Sequence, residues 1–285
     1  MAGSQLFLRL LGQELRRARD AREIDQRDAA DQVHLTGTQL SRIEKGRSMP
    51  KGLYVTTLCA YYGLNAKDTK SMTRLFELAS KPPWWTHLGP RPESTEGLLW
   101  LEAAAWSIRV YELYSIPGLL QTAAMAEAIN KAVDIGISEN QQETGVDLRM
   151  QRQDKVWGRE EPPKMICVID EAALLRLPGR PEVRRAQISR LIDPPPTVSV
   201  HVLPFYAGPT PSTGAYNVFS IDLGSSEPTR AVHVDGSTVG QATIVESEEQ
   251  VRPFELAFEG TFRAALSQED SARVLYKKME EIQDD

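Results

Sequence analysis

Residues Gln26 to Ile43, QRDAADQVHLTGTQLSRI, carry the spacing of two short helices that cross steeply. Such a pair needs a small residue at the crossing, here Ala30, and apolar residues that lock it, here Val33, Leu40 and Ile43. Ala30 and Leu40 stand ten positions apart, the offset a helix-turn-helix requires. Thr36, Thr38, Gln39, Ser41 and Arg42 then line the outer face of the second helix. In this motif that helix enters the major groove of DNA, so the segment points to a reader of sequence and not to a catalyst.

The flanking residues extend the helical reading. Leu8, Leu11, Leu15 and Ala18 recur at helical spacing, with Arg16, Arg17, Arg19 and Arg22 largely on other faces, which predicts a first helix ending near Ala21. Asp25 is a suitable N-cap for a second helix over Gln26 to Val33. His34 occupies the turn, where a left-handed backbone usually selects glycine. Thr36 caps a third helix running to about Lys45 and closed by Gly46, and a basic loop, Lys45 to Lys51, follows. Val55, Leu58, Cys59 and Tyr62 mark a fourth helix, and Met72, Leu75, Phe76 and Ala79 a fifth. The expected fold of residues 1–80 is an all-α five-helix helix-turn-helix domain.

Charge supports that division. The chain of 285 residues carries a net charge of −6, but residues 1–80 hold 13 Lys/Arg and 9 Asp/Glu, a net of +4, against −10 for residues 81–285. The basic excess lies where the motif lies, and phosphate neutralisation by so modest an excess predicts binding that weakens with salt. No apolar run approaches bilayer length, and no signal peptide is read at the start, MAGSQLFLRLLG. Cys59 and Cys167 are expected as buried free thiols in a reducing cytoplasm, and the protein as nucleoid-associated when bound to DNA.

Residues 6–80 resemble the Xre-type helix-turn-helix regulators, most specifically through QRDAADQV and the SRIEKG-R-x-x-P run of Ser41 to Pro50. The resemblance implies that Gln26 touches phosphate and braces the recognition helix. It further implies that Thr36, Thr38, Gln39 and Ser41 face base edges, Arg42 base or phosphate, and that Lys45, Arg47 and Lys51 grip the backbone. Gly37 stands where many relatives place a polar base-contacting residue, so one contact is missing. A glutamine can pair with adenine through two hydrogen bonds, worth about 1–3 kcal/mol of discrimination. The alternative is a helical bundle that binds protein with the same fold.

Beyond Lys81-Pro-Pro-Trp-Trp, read as a domain boundary, helical patterns are expected at about 97–112, 118–131 and 138–157. Strands follow at Met165 to Ile169, Thr197 to Leu203, Tyr216 to Ile221, Ala231 to Val234 and Ala242 to Val245, in meander-like order. Helices return at about 247–265 and 268–282, the latter opened by Ser267-x-x-Asp270. Residues 81–285 are therefore expected to form an α+β domain with an antiparallel or mixed sheet. This part resembles the C-terminal domain that actinomycete Xre-type regulators often carry, the Scr1-family antitoxin-like and WhiJ-type group. The matching strings are Ser115 to Thr122, Leu148 to Asp154, Val168 to Leu174, Val200 to Phe205 and Arg263 to Ser267, with departures at His233 and Asp235. It implies a regulator that pairs with a small protein encoded nearby.

No catalytic or cofactor motif is found. His34, His87, His201 and His233 have no metal-ligand spacing with one another or with the cysteines, so no metal is expected. Asp170-Glu171 reads as a helix start, and Glu246, Glu248, Glu249, Glu255 and Glu259 as a solvated helix face, with docking of a basic partner as the sharper option. Trp84, Trp85, Trp100, Trp106 and Trp157 are assigned to the core and domain interface of the second domain, or to a ligand pocket. The expectation is a non-enzymatic, homodimeric transcriptional regulator that binds double-stranded DNA at an inverted repeat, without cofactor. An antitoxin-like interaction protein and a small-molecule sensor are the alternatives.

Overall fold

Helical spacing in the first eighty residues becomes five helices: α1 (Ala2–Asp20), α2 (Gln26–Gln32), α3 (Gly37–Glu44), α4 (Gly52–Tyr61) and α5 (Ala66–Ser80). The computed structural model describes residues 2–80, 82, 84, 85, 87, 93–133, 139–211, 214–221, 229–235 and 242–283. Four of these helices end alike. A backbone N–H bonds five residues back (Ile24 to Arg19, Leu35 to Ala30, Arg47 to Arg42, Leu64 to Cys59) around a left-handed residue: Glu23, His34, Gly46 and Gly63. This closure satisfies carbonyls that the helix leaves open. Glycine adopts it freely; Glu23 (φ 55°) and His34 (φ 53°) do so at a cost of about 1 kcal/mol each.

Helix α1 is the spine of this unit. Leu11 and Leu15 are fully buried with Leu40, Leu58 and Leu75 from the other helices. Gly12 lets α1 and α3 touch: a Cβ there would lie 2.4 Å from the Ile43 carbonyl oxygen and 2.7 Å from that of Glu44. A further helix, α6 (Glu93–Ala104), packs on α1, and the first compact unit runs through Ala104. Phe7, Trp100, Trp85 and Trp84 form a chain of edge-to-face rings with centroids 5.2–5.4 Å apart. Three of the five tryptophans thus pack within the first unit and not in the second. The boundary expected at residue 81 falls just after α5, inside the first compact unit, which runs on through Ala104; Lys81 and Pro83 lie outside the described residues.

The second unit is built on a six-stranded mixed sheet, β1 (Ser107–Glu112), β2 (Lys164–Asp170), β3 (Val198–Leu203), β4 (Tyr216–Ile221), β5 (Thr229–Asp235) and β6 (Ala242–Val245), in the order β3-β2-β1-β4-β5-β6. Its first half is parallel: β1 pairs β2 with Val110 opposite Cys167, and β2 pairs β3 with Cys167 opposite Val200. These parallel connections run through α7 (Ala123–Ala132) and α8 (Glu139–Trp157), then α9 (Glu171–Leu175) and α10 (Pro181–Ile192). Antiparallel pairs join β1 to β4 and β5 to β6. Only the half from β4 onward has the meander order expected of the whole. The helical pattern expected over 97–112 is corrected: α6 ends at Ala104 and β1 begins at Ser107. Buried Ile108 and Val110 alternate with half-buried Ser107 and Arg109, a strand period, but the run is short and Tyr111, three positions after Ile108, also fits the helical spacing.

Tyr111, Val168, Tyr216, Val218 and Val232 share one core cluster with Val251 and Phe258 of α11 (Glu248–Ala264). The last helix, α12 (Gln268–Glu280), lies against β3 and α10 and is capped as expected, with Ser267 Oγ accepting from the Asp270 N–H at 3.1 Å. An irregular segment after β1, Ile116 to Thr122, is held by side-chain amides. Gln153 donates to the carbonyls of Gly118 and Gln121, Gln187 to that of Leu120, Gln121 to that of Ile116, and the Trp157 indole to that of Leu119. Gln187 also accepts from the Thr122 N–H at 2.9 Å. Buried loop carbonyls require such partners, and here glutamines on α8 and α10 supply them. Cys59 and Cys167 are buried and free, and burial pushes the Cys59 thiol up to about 11.

Candidate nucleic-acid interface

Each helix of the α2–α3 pair carries its own start signal. Asp25 accepts from the Arg27 N–H at 2.7 Å. Thr36 and Gln39 form a reciprocal capping box: Thr36 Oγ1 accepts from the Gln39 N–H at 3.2 Å, and Gln39 Oε1 accepts from the Thr36 N–H at 2.8 Å. Inward, Ala30, Val33, Leu40 and Ile43 are buried, as the spacing implied. Outward, Thr38, Gln39 and Arg42 are exposed and Ser41 is half-buried.

The base of α3 is fixed by a buried ionic network that the sequence reading missed. Glu44, 4% exposed, receives Arg19 Nε at 2.7 Å, Arg19 Nη2 at 3.1 Å and Gln26 Nε2 at 2.7 Å. Arg19 also donates from Nη1 to the Ile24 carbonyl at 2.9 Å. The Glu44 hydrogen bonds raise the Arg19 guanidinium above its ordinary range, with burial opposing. One carboxylate thus joins α1, α2 and α3, and Gln26 bonds to the last residue of α3. A signal was present: Leu11, Leu15 and Arg19 are four residues apart, which puts Arg19 on the apolar stripe and not on the outer face.

The remaining candidates lie at the two ends of α3 and in the loop that follows it. Lys45 ends the helix, Arg47 and Lys51 follow in the basic loop, and all three are exposed. Lys51 also caps α4 and sits 5.6 Å from the Tyr54 ring centre. Gly37 opens α3, and the space its missing side chain leaves is bordered by Arg27 of α2. Among the described residues, no carboxylate pairs with Arg27, Arg42, Lys45, Arg47 or Lys51, whereas on α1 Arg16 pairs with Asp20 and Arg19 with Glu44. Unpaired cations around a polar helix suit a polyanion, since no internal ion pair must be broken first. Gln39 is differently placed. Its amide oxygen is engaged in the cap, so bidentate pairing with adenine requires that cap to open.

A second polar cluster lies at the carboxyl end of β1, in the second unit. Burial, then the Asp235 charge, push the Glu112 carboxyl up to about 8, with Arg152 opposing. Burial, then Arg152, press His233 down to about 4; its Nδ1 lies 3.5 Å from Asp235 Oδ1. The other residues considered for chemistry have structural partners. Asp170 caps α9 through the Ala172 N–H, Glu171 accepts from the Phe205 N–H, and Glu255 pairs with Arg230 at 2.9 Å. His201 contacts the Leu266 carbonyl at 3.0 Å, while His34 and His87 are exposed. Among the described residues, no group of three His, Cys, Asp or Glu is placed to hold a metal, and no helix is long and apolar enough to cross a membrane.

Two family models match the chain. One, described as a helix-turn-helix domain, covers residues 10–71, from within α1 to within α5. The other, described as a domain of unknown function (DUF5753), covers residues 95–277, from within α6 to within α12. No curated protein and no solved structure matches the chain.

Proposed function

The chain belongs to the DUF5753 family, and from that premise and the helix-turn-helix domain ahead of it we propose a sequence-specific DNA-binding transcriptional regulator of the Xre type. One observation carries the reading: α3 is anchored at its inner end by Glu44 and presents a polar face, and five exposed cations on α2, α3 and the loop after it are free of internal carboxylates. In this reading Thr38, Ser41 and Arg42 meet base edges, Gln39 does so on leaving its cap, and Gln26, Lys45, Arg47 and Lys51 meet phosphate. A homodimer would place two such helices about 34 Å apart, one turn of DNA, on an inverted repeat.

The second domain, in the same reading, holds the dimer and receives the signal from a small protein partner, as antitoxin-like relatives would. Exposed apolar side chains support a protein-binding role. Tyr114, Leu175, Phe205 and Tyr206 are 58–81% exposed and follow the carboxyl ends of the three parallel strands. Arg176 lies over the Tyr114 ring, and Glu171 accepts from the Phe205 N–H. A surface of this kind marks an interaction site more often than bare solvent contact. Footprinting on duplexes from the protein's own upstream region tests the DNA reading. Protection that fades with salt is expected; no protection in dilute buffer refutes it.

A further inference from the structure

Gly37 leaves the tip of the reading helix without a side chain at its first position, and the stem of Arg27 from α2 borders that space. A Cβ at Gly37 would sit 3.6 Å from Arg27 Cγ, an ordinary contact, so the stem of Arg27 lies against the first turn of α3. Arg27 is the second residue of α2 and is exposed. Helical spacing offers it an ion pair with Asp31, four residues on, and Arg27 does not take it. The neighbouring polar groups on α3 are already engaged, since Thr36 Oγ1 and Gln39 Oε1 close the capping box. The first turn of α3 therefore offers the Thr38 hydroxyl and the Gln39 amide nitrogen, and the stem of an exposed arginine from the adjoining helix borders it.

We propose that Arg27 is a specificity residue that reads guanine, supplying from α2 the base contact that Gly37 cannot make from α3. Arginine is suited to this because its planar fork donates two parallel hydrogen bonds to guanine O6 and N7. This inference rests on the DNA-binding reading above.

The test is selection of sites from a randomised duplex pool by the full-length protein, followed by binding of single-base variants. The wild-type protein is expected to enrich a half-site with a guanine whose replacement weakens binding roughly 10- to 100-fold. Arg27→Ala should reduce that preference to about twofold and leave the other positions intact, with thermal unfolding unchanged because Arg27 is exposed. Arg27→Lys should relax the same guanine, since a point charge keeps phosphate affinity but not the fork. Gly37→Gln, which adds a side chain beside the Arg27 stem, should change the preferred base at that position alone. If Arg27→Ala weakens all duplexes alike and lowers the salt slope by about one, Arg27 is a phosphate contact and the inference falls. An unchanged preference profile in Arg27→Ala overturns it as well. Should the wild-type protein enrich no sequence at all, the DNA-binding reading itself fails and takes this inference with it.

Discussion

Replacing Glu44 by leucine isolates the network that fixes α3. The carboxylate is nearly inaccessible, its side chain 3% exposed, and it accepts three hydrogen bonds from Arg19 and Gln26. Its loss leaves the Arg19 Nε and Nη2 donors unpaired at a side chain only 11% exposed, while Nη1 keeps the Ile24 carbonyl and Asp20. Breaking one partner of a buried ion pair costs about 3–5 kcal/mol, and the surviving Nη1 contacts place Glu44→Leu near the lower end, about 3 kcal/mol. Gln26 is half-buried and can turn to water, so it adds little. Arg19→Met alone strands the Glu44 charge and should cost a similar amount. The double variant removes both charges and should lie within about 1 kcal/mol of wild type, because apolar pairs of similar volume replace buried ion pairs at small cost. Amide exchange of α2 and α3 in the full-length protein, read as local opening free energies, measures all three. The reasoning is refuted if the single effects add within about 0.5 kcal/mol, the behaviour of independent sites.

Three further outcomes are expected. His34→Gly relieves a left-handed histidine and should stabilise the first unit by about 1 kcal/mol without altering DNA affinity, measured by urea unfolding and duplex titration. Gln187→Leu leaves the Thr122 N–H and the Leu120 carbonyl unpaired in the interior and should cost about 2–5 kcal/mol, visible as a lower unfolding temperature. Folded Glu112 keeps its proton up to about pH 8 where the unfolded chain releases it near 4.5, so stability falls as pH rises through that window; His233, held to about 4, makes stability fall as pH drops below about 6.5. Glu112→Gln should therefore flatten the alkaline loss, on the order of 2 kcal/mol at pH 8 after discounting partial exposure, and a pH series of unfolding temperatures that matches wild type would contradict this.

The α2–α3 pair was legible because its signals are local: Asp25 and Thr36 cap, His34 turns, and the apolar residues lie within eighteen positions. The first unit's extent was not, since α6 joins α1 through Phe7 and Trp100, contacts made across more than ninety residues. Strand β1 escaped for the same reason. Its pairing with Lys164 and Ser220, which meet Ser107 from distant segments, fixes it as a strand, and the alternation of Ile108 and Val110 with Ser107 and Arg109 is too short to stand out beside the helical pattern ahead of it. Arg19 and Glu44 were hidden by a habit of reading charge as surface. The Leu11–Leu15–Arg19 stripe contradicts that habit, as does the position of Glu44 four residues after buried Leu40. The exposed candidates Thr38, Arg42, Arg47 and Lys51 were found from polarity alone, but the capping role of Gln39 requires knowing where its amide oxygen points.

The close approach at Gly12 makes α1 and α3 a single rigid lever. The last carbonyls of the reading helix rest on bare backbone, with no flexible side chain between to absorb displacement. The far end of α1 meets α6 edge-to-face through Phe7 and Trp100, and after α6 the chain enters β1, a strand in the interior of the sheet. Within the first unit, a displacement of α6 against α1 would therefore meet α3 through backbone contact and not through side chains that could yield.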